Sequence, residues 1–435
     1  MALLHIRSTN PKMSYALAKN PETGLLVKSM GYGHTFGFFP AGDEQTYTVY
    51  FKDNPNRVSF KKHKDEHIEF MNVSRFNSAV FVPAAIGDYF SSLYKGSTTE
   101  DATGFDNELE IPLVNLDAKS YLEIFPKYLP DFELVATPIS DKNYNLKIKT
   151  KRSLSDLVNY TALFFVLNIL RNKNDFFEGN EDQLIKYIDS MGRVNAPYFM
   201  RYVFKVNLMR SEKKFKEKKA LLENVEGKNI DMVFGNTNDQ RLKAVQERIF
   251  TNNVLVEIGC GEGNQTLKLA KKAAQNDLPY YAIDTDENIR EVITKRLARK
   301  KLENVTVLES FEAFTLCIAA KEDAVADKAM DIICVEVIEH MEKAEATALI
   351  REVITFGKHY ARTLVVTSPN ADFNVNYGLD TEYRHDDHKF EFTEKEFREW
   401  VAEIGEVSKE TPAEIFGIGD TVDGVVTTLG VQFFF

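Results

Sequence analysis

The chain has 435 residues, 44% hydrophobic and 27% charged, enough to bury more than one core and, on length, to form two or three domains. A formal net charge of -11 excludes a surface that attracts polyanions as a whole, so any nucleic acid must be held locally, by a few basic and aromatic side chains or by a metal. The start shows no basic stretch followed by an extended apolar run, no apolar stretch approaches the ~20 residues of a membrane span, and Cys260, Cys317 and Cys334 lack CxxC spacing, so a cytoplasmic protein without a membrane anchor, disulfide frame or zinc ribbon is expected.

The first half reads as a mixed α/β or α+β domain over residues 1–225, followed by a linker over 226–237. Residues 3–7 suit a short strand, and Pro11 opens a short helix. Residues 26–51 alternate aromatics with Gly and Thr and predict a hairpin; 79–94 suit a helix, and 108–116 and 131–139 further strands. The clearest helix starts at Ser153 or Ser155, which can cap its first turn, and carries an apolar stripe through Leu157, Leu163, Val166 and Leu170. His63 and His67 have metal-ligand spacing, but the lysines around them favour a solvated face. The charge run 212–219, with interleaved glutamates, suits an exposed helix better than a nucleic-acid contact.

The second half, 238–435, repeats βα units and predicts a doubly wound sheet. Residues 254–258 form a short apolar strand that runs into Gly259-x-Gly261-x-Gly263 and then a helix, a turn whose backbone can approach a ligand closely. A second strand, 280–284, ends in Asp284, where a ribose-binding carboxylate is required. This pattern could bind NAD or S-adenosylmethionine. Glu257 ahead of the glycines, and a third glycine two residues after the second, favour S-adenosylmethionine and a class I (Rossmann-like) methyltransferase. After the third strand, 305–308, Ser310 stands where adenine commonly sits in that fold.

The fourth strand, 330–335, leads into Glu336-x-x-Glu339-His340. On a helical turn, two carboxylates and an imidazole at i, i+3 and i+4 share one face, as metal ligands would. The fifth strand, 363–367, is followed by a long loop with two more histidines, His385 and His388, at the same end of the sheet, so a histidine from it can close the site. The alternative is a polar surface that binds nothing.

Taken together, these residues resemble the RNA 3'-terminal ribose 2'-O-methyltransferases, which modify the ends of small silencing RNAs and take part in bacterial RNA repair. The matching pieces are Gln240-Arg241, Glu257 to Gly263, Glu336 to His340, Ser368-Pro-Asn370 with Phe373-Asn374, and Arg384-His-Asp-Asp-His388-Lys-Phe-Glu391. Phe392, where the family usually has Trp, and Glu309, where Gly is common, depart from the pattern. The resemblance implies a metal held by Glu336, Glu339, His340 and His388. More loosely, the first half resembles the amino-terminal module of bacterial members, which implies partnership with a polynucleotide kinase-phosphatase-ligase.

The implied chemistry follows from the substrate. A ribose 2'-hydroxyl is a weak nucleophile, and a cation with four protein ligands has two positions left for the vicinal hydroxyls of a terminal ribose, which requires RNA with a free 2',3'-diol. Two oxygen and two imidazole ligands suit Mn²⁺ or Co²⁺ better than Mg²⁺. His385 can act as proton acceptor or orient His388 from behind. Phe373, Asn374 and Arg384 can contact terminal nucleotides, or simply pack the loop. Two other readings stay open: a small-molecule vicinal-diol O-methyltransferase, and a binding subunit whose first half activates a repair ligase.

Overall fold

Alternation runs along β1 (Ala2–Ser8), where Leu4 and Ile6 are buried and Leu3 and Arg7 are not, the period-2 pattern of a sheet covered on one face. The computed structural model describes residues 2–30, 33–53, 77–116, 121–171, 181–250, 252–320, 330–379, 381–407 and 411–435. They divide into two units, Met1–Gly227 and Lys228–Phe435. His63 and His67 lie outside the described residues.

In the first unit β1 joins β2 (Leu26–Met30), β3 (Gly33–Phe38), β4 (Thr46–Asp53), β5 (Asn107–Asn115), β6 (Phe132–Pro138) and β7 (Asn143–Thr150) in an antiparallel sheet ordered β2-β3-β4-β1-β5-β7-β6. Sequence reading missed β7, whose alternating Lys and Asn look like a polar loop. The helix Leu154–Arg171 packs against β5 and β7 and is buried on nearly every side, not along one stripe. Some of its buried polar groups turn back onto the backbone: Asn159 Nδ2 donates to the carbonyls of Tyr94 and Ser155, and Thr161 Oγ1 to that of Leu157. Ser153 caps the Asp156 amide as expected, while Asp101, distant in sequence, accepts from the amides of Leu154 and Ser155 at 2.7 and 2.8 Å. A two-residue strand, β8 (Asn224–Val225), closes this part of the chain.

The second unit contains β9 (Lys228–Asp231), β10 (Val254–Ile258), β11 (Tyr280–Ile283), β12 (Val305–Leu308), β13 (Met330–Val335), β14 (Ala361–Pro369), β15 (Ala413–Val422) and β16 (Val425–Phe434). Their order is β12-β11-β10-β13-β14-β16-β15-β9. The strands from β12 to β14 are parallel, and β16 runs antiparallel beside β14. Val254, Val256 and Ile258 join one apolar cluster and Leu255 the other, so helices cover both faces. This is the doubly wound sheet that the alternation of elements predicts. Part of the segment expected as a linker is instead a strand of this unit: Asp231 and Ile230 in β9 pair with Thr421 and Val422.

The chain order reverses between β10 and β13, which lie side by side. In an open parallel sheet the crevice outside the strand ends at such a reversal is the place for a ligand. Both sequence motifs of the second half leave the sheet there.

Candidate functional site

The turn after β10 is built around glycines with left-handed backbones, φ +71° at Gly259, +51° at Gly261 and +82° at Gly263. A Cβ on Gly259 would lie 2.3 Å from Cγ2 of Val337, and one on Gly263 would lie 2.8 Å from Ile293 Cγ1, so both positions are closed to side chains. A Cβ on Gly261 would meet nothing within 4 Å, which leaves an open cradle over that residue. Asp284, just past β11, shapes the same turn: one carboxylate oxygen accepts from the Gly261 amide at 2.9 Å and the other from the Asp286 amide at 3.1 Å. Ser310 stands just past β12 and caps the helix Phe311–Ala319 through the Ala313 amide at 3.0 Å.

Glu257 is buried at the end of β10, and its Oε2 accepts from Thr266 at 2.5 Å and from Tyr280 at 2.7 Å. These two hydroxyls had no sequence signature, because each looks like an ordinary element residue. Burial pushes the Glu257 carboxyl up to about 7, against the two hydrogen bonds that favour its charged form. Since the folded pKa lies above the ordinary 4.5, its contribution to stability is fully present below pH 4.5 and is lost as pH rises through about 7. We expect wild type to lose up to ~3 kcal/mol relative to Glu257→Gln between pH 5 and pH 8, measured by urea unfolding. A difference that does not vary with pH would contradict this.

After β13 the backbone turns sharply at Glu336, whose φ of +54° costs a non-glycine residue ~1–2 kcal/mol. The expected helical turn is instead a short 3-10 turn, Ile338–His340, that begins beyond it. Glu336 therefore does not share a face with Glu339 and His340. Its carboxylate pairs with Arg241 and accepts from Thr367 Oγ1 at 3.0 Å. Glu339, His340 and His388 do come together, with potential ligand atoms all within 4.8 Å of one another. A bond from the Lys389 amide to the Glu339 carbonyl, 2.7 Å, stitches the histidine loop to this turn.

Glu339 is fully buried, and neither carboxylate oxygen has a hydrogen-bond partner among the described residues. Burial, with Glu336 nearby, drives its carboxyl well above the usual carboxylate range. Buried charges are otherwise paired or coordinated to a metal. Two orphaned oxygens beside two imidazoles are thus a donor set that fits a divalent cation. The histidines are themselves held by carboxylates. Asp387 bonds His340 Nδ1 at 3.0 Å and His385 Nδ1 at 2.6 Å, and Glu391 bonds His388 Nδ1 at 2.6 Å. His340 has its pKa lowered by burial, against the pull of Asp387. His385 is 71% exposed, and its ring centre lies 5.8 Å from that of His388.

The loop residues read as RNA contacts are placed differently. Phe373 is fully buried and packs edge-on against Tyr377, so it offers no face to a base. The physical reason is the turn Ala371–Asn376, which folds the loop back onto β16. Asn374 and Arg384 bond to each other, Nε to Oδ1 at 2.6 Å, and both bond to Glu391. We expect Phe373→Ala to cost ~3–5 kcal/mol of stability in urea unfolding. Retained stability with lost RNA binding would overturn this placement.

Residues 3–227 match the family model of the Hen1 N-terminal domain, and 255–358 that of a methyltransferase domain. The small RNA 2'-O-methyltransferase of Xenopus tropicalis is 42% identical over 89 residues, 20% of this chain and 23% of that protein. Those of Drosophila melanogaster and Schizosaccharomyces pombe are 31% identical over 182 residues and 28% over 187, or 38% and 39% of this chain and 43% and 49% of theirs. The matched stretches thus span between 23% and 49% of these relatives' own length. Among solved structures, a chain from "Structure of the Pnkp1/Rnl/Hen1 RNA repair complex" has the same fold, with a TM-score of 0.81 at 22% identity over 100% of both chains. No helix among the described residues is long and apolar enough to cross a membrane.

Proposed function

The chain belongs to the Hen1 family, and from that premise we propose that it transfers a methyl group from S-adenosylmethionine to the 2'-hydroxyl of the 3'-terminal ribose of RNA. The observation that carries the proposal is the meeting of two sites at adjacent strand ends. The open cradle over Gly261 and the cluster of Glu339, His340 and His388 leave the sheet side by side, with Gly259 packed against Val337 between them.

S-adenosylmethionine would supply an electrophilic methyl at the glycine turn. Asp284 keeps that turn in shape through the Gly261 amide and offers its carboxylate to the ribose of the donor. Glu257, buried behind the turn, faces the methionine end in this reading. Ser310, with its hydroxyl occupied by the cap, contributes at the adenine end through its place beyond β12.

A divalent cation held by Glu339, His340 and His388, with Glu336 as fourth ligand once its carboxylate leaves Arg241 and Thr367, would supply Lewis acidity toward the two vicinal hydroxyls of a terminal ribose. Mn²⁺ or Co²⁺ suits the mixed nitrogen and oxygen donors better than Mg²⁺. Asp387 holds His340 and His385 by Nδ1. His385, exposed and anchored by Asp387, is positioned to take the hydroxyl proton at Nε2. Arg241 holds the Glu336 carboxylate on the Thr367 side of the cluster.

We place this activity in cytoplasmic RNA repair, with the first unit, residues 1–225 in its sequence-based bounds, docking a polynucleotide kinase-phosphatase-ligase. The test is chemical. RNA with a free 2',3'-diol, incubated with the chain, Mn²⁺ and S-adenosylmethionine, is expected to become resistant to periodate cleavage of its last ribose. RNA that stays periodate-sensitive while the donor is consumed would redirect the assignment to another acceptor, such as a small vicinal diol.

A further inference from the structure

One carboxylate at the site, Glu391, is assigned no chemistry by the proposed reaction. The Glu391 side chain is 0% exposed, and its hydrogen-bond partners among the described residues are donors. Its Oε1 accepts from His388 Nδ1 at 2.6 Å and from the Arg384 amide at 2.8 Å, and its Oε2 accepts from Asn374 Nδ2 at 2.6 Å. The ring closes through Arg384, whose Nε donates to Asn374 Oδ1 and whose Nη2 donates to the Asn370 carbonyl, each at 2.6 Å. Asn370 is in turn anchored to the sheet, its Nδ2 donating to the Val426 carbonyl at 2.9 Å.

We propose that Glu391 is a positioning residue for His388, holding its ring as the Nδ1–H tautomer so that Nε2 is the nitrogen free to bind, and that Asn374 and Arg384 hold Glu391. Three observations carry this. A carboxylate buried without compensation is costly, and here three donors converge on it. The His388 side chain is only 8% exposed, so its ring cannot find an alternative partner in water. The donor pattern is also one that an amide cannot replace, because a glutamine side chain in its place would turn one of two accepting oxygens into a donor that faces other donors. Asn374 and Arg384 then act through the ring on ligand geometry, not on RNA. The consequence for affinity rests on the metal reading of the cluster, but the tautomer does not.

The test uses the full chain and Mn²⁺ alone. Free-ion counting by electron paramagnetic resonance is expected to show Mn²⁺ bound ~10–100-fold more weakly by Glu391→Gln and Glu391→Ala than by wild type. Asn374→Ala should shift in the same direction by less. Binding of S-adenosylmethionine should stay at the wild-type value in Glu391→Gln, even though the mismatched amide lowers its unfolding midpoint in chelator, so a general collapse of the fold would not produce the pattern. Mn²⁺ affinity within twofold of wild type in both Glu391 variants would overturn the proposal. Long-range nitrogen NMR of histidine-labelled chain, with His388 assigned by His388→Gln, separates the two claims. Should wild type take up no Mn²⁺, the metal reading falls. An Nδ1-protonated His388 that loses its fixed tautomer in Glu391→Ala then still supports the positioning role, and an Nε2-protonated His388 in wild type overturns it.

Discussion

Glu339→Leu is expected to abolish methyl transfer and, at the same time, to make the chain harder to unfold. The two effects share one cause. Glu339 is fully buried with both oxygens unpartnered among the described residues, and its carboxyl is driven well above the usual range by burial and by Glu336. A group in that condition opposes folding unless something binds it, and replacing a buried charge with an apolar side chain of similar size is neutral or stabilising by ~1–4 kcal/mol. Unfolding in chelator should therefore show a higher midpoint for the variant. Transfer depends on the same oxygens. Loss of a metal-type contribution of several kcal/mol, at ~1.36 kcal/mol per decade, corresponds to a fall of about a thousandfold or more. A variant that unfolds earlier, or one that retains transfer, would mean that Glu339 is a structural carboxylate.

Asp284→Ala should produce the complementary defect, with donor binding lost and Mn²⁺ binding kept. Asp284 sits between two duties, since it holds the Gly261 and Asp286 amides and presents its carboxylate beside the open cradle. A ribose that makes two hydrogen bonds to this charged carboxylate gains ~1.5–3 kcal/mol from each, so removing the carboxylate weakens S-adenosylmethionine by about a hundredfold or more. Calorimetric titration with the donor, and separately with Mn²⁺, reads both sites. Equal losses at both would indicate that the turn around Gly259 and Val337 had collapsed.

The parallel part of the second sheet was legible because its strands are short apolar runs that end in glycine or acid. Strands β10, β12 and β13 lie where the pattern placed them. Strand order placed a histidine of the loop, His385 or His388, beside Glu339 and His340, and the family resemblance singled out His388. What escaped was local. The positive φ at Glu336 places it outside the turn that carries the other two residues, and no residue pattern signals a left-handed exit from a strand at a glutamate. Phe373, flanked by Asp and Asn, has the neighbours of an exposed residue, and only the fold of 371–376 shows it buried. Strand β15 was missed because Gly417 and Gly419 interrupt its alternation. The roles of Asp387 and Glu391 depend on how the loop closes, which spacing does not encode.

The most direct measurement offers the chain labelled S-adenosylmethionine with three RNAs that differ only at the last ribose: a free 2',3'-diol, a 3'-phosphate and a 2'-deoxyribose. The account predicts label on the first alone, because both hydroxyls are needed at the cluster of Glu339, His340 and His388. Comparable transfer to the phosphate end would contradict it, as would any label on the terminal residue of the deoxy end.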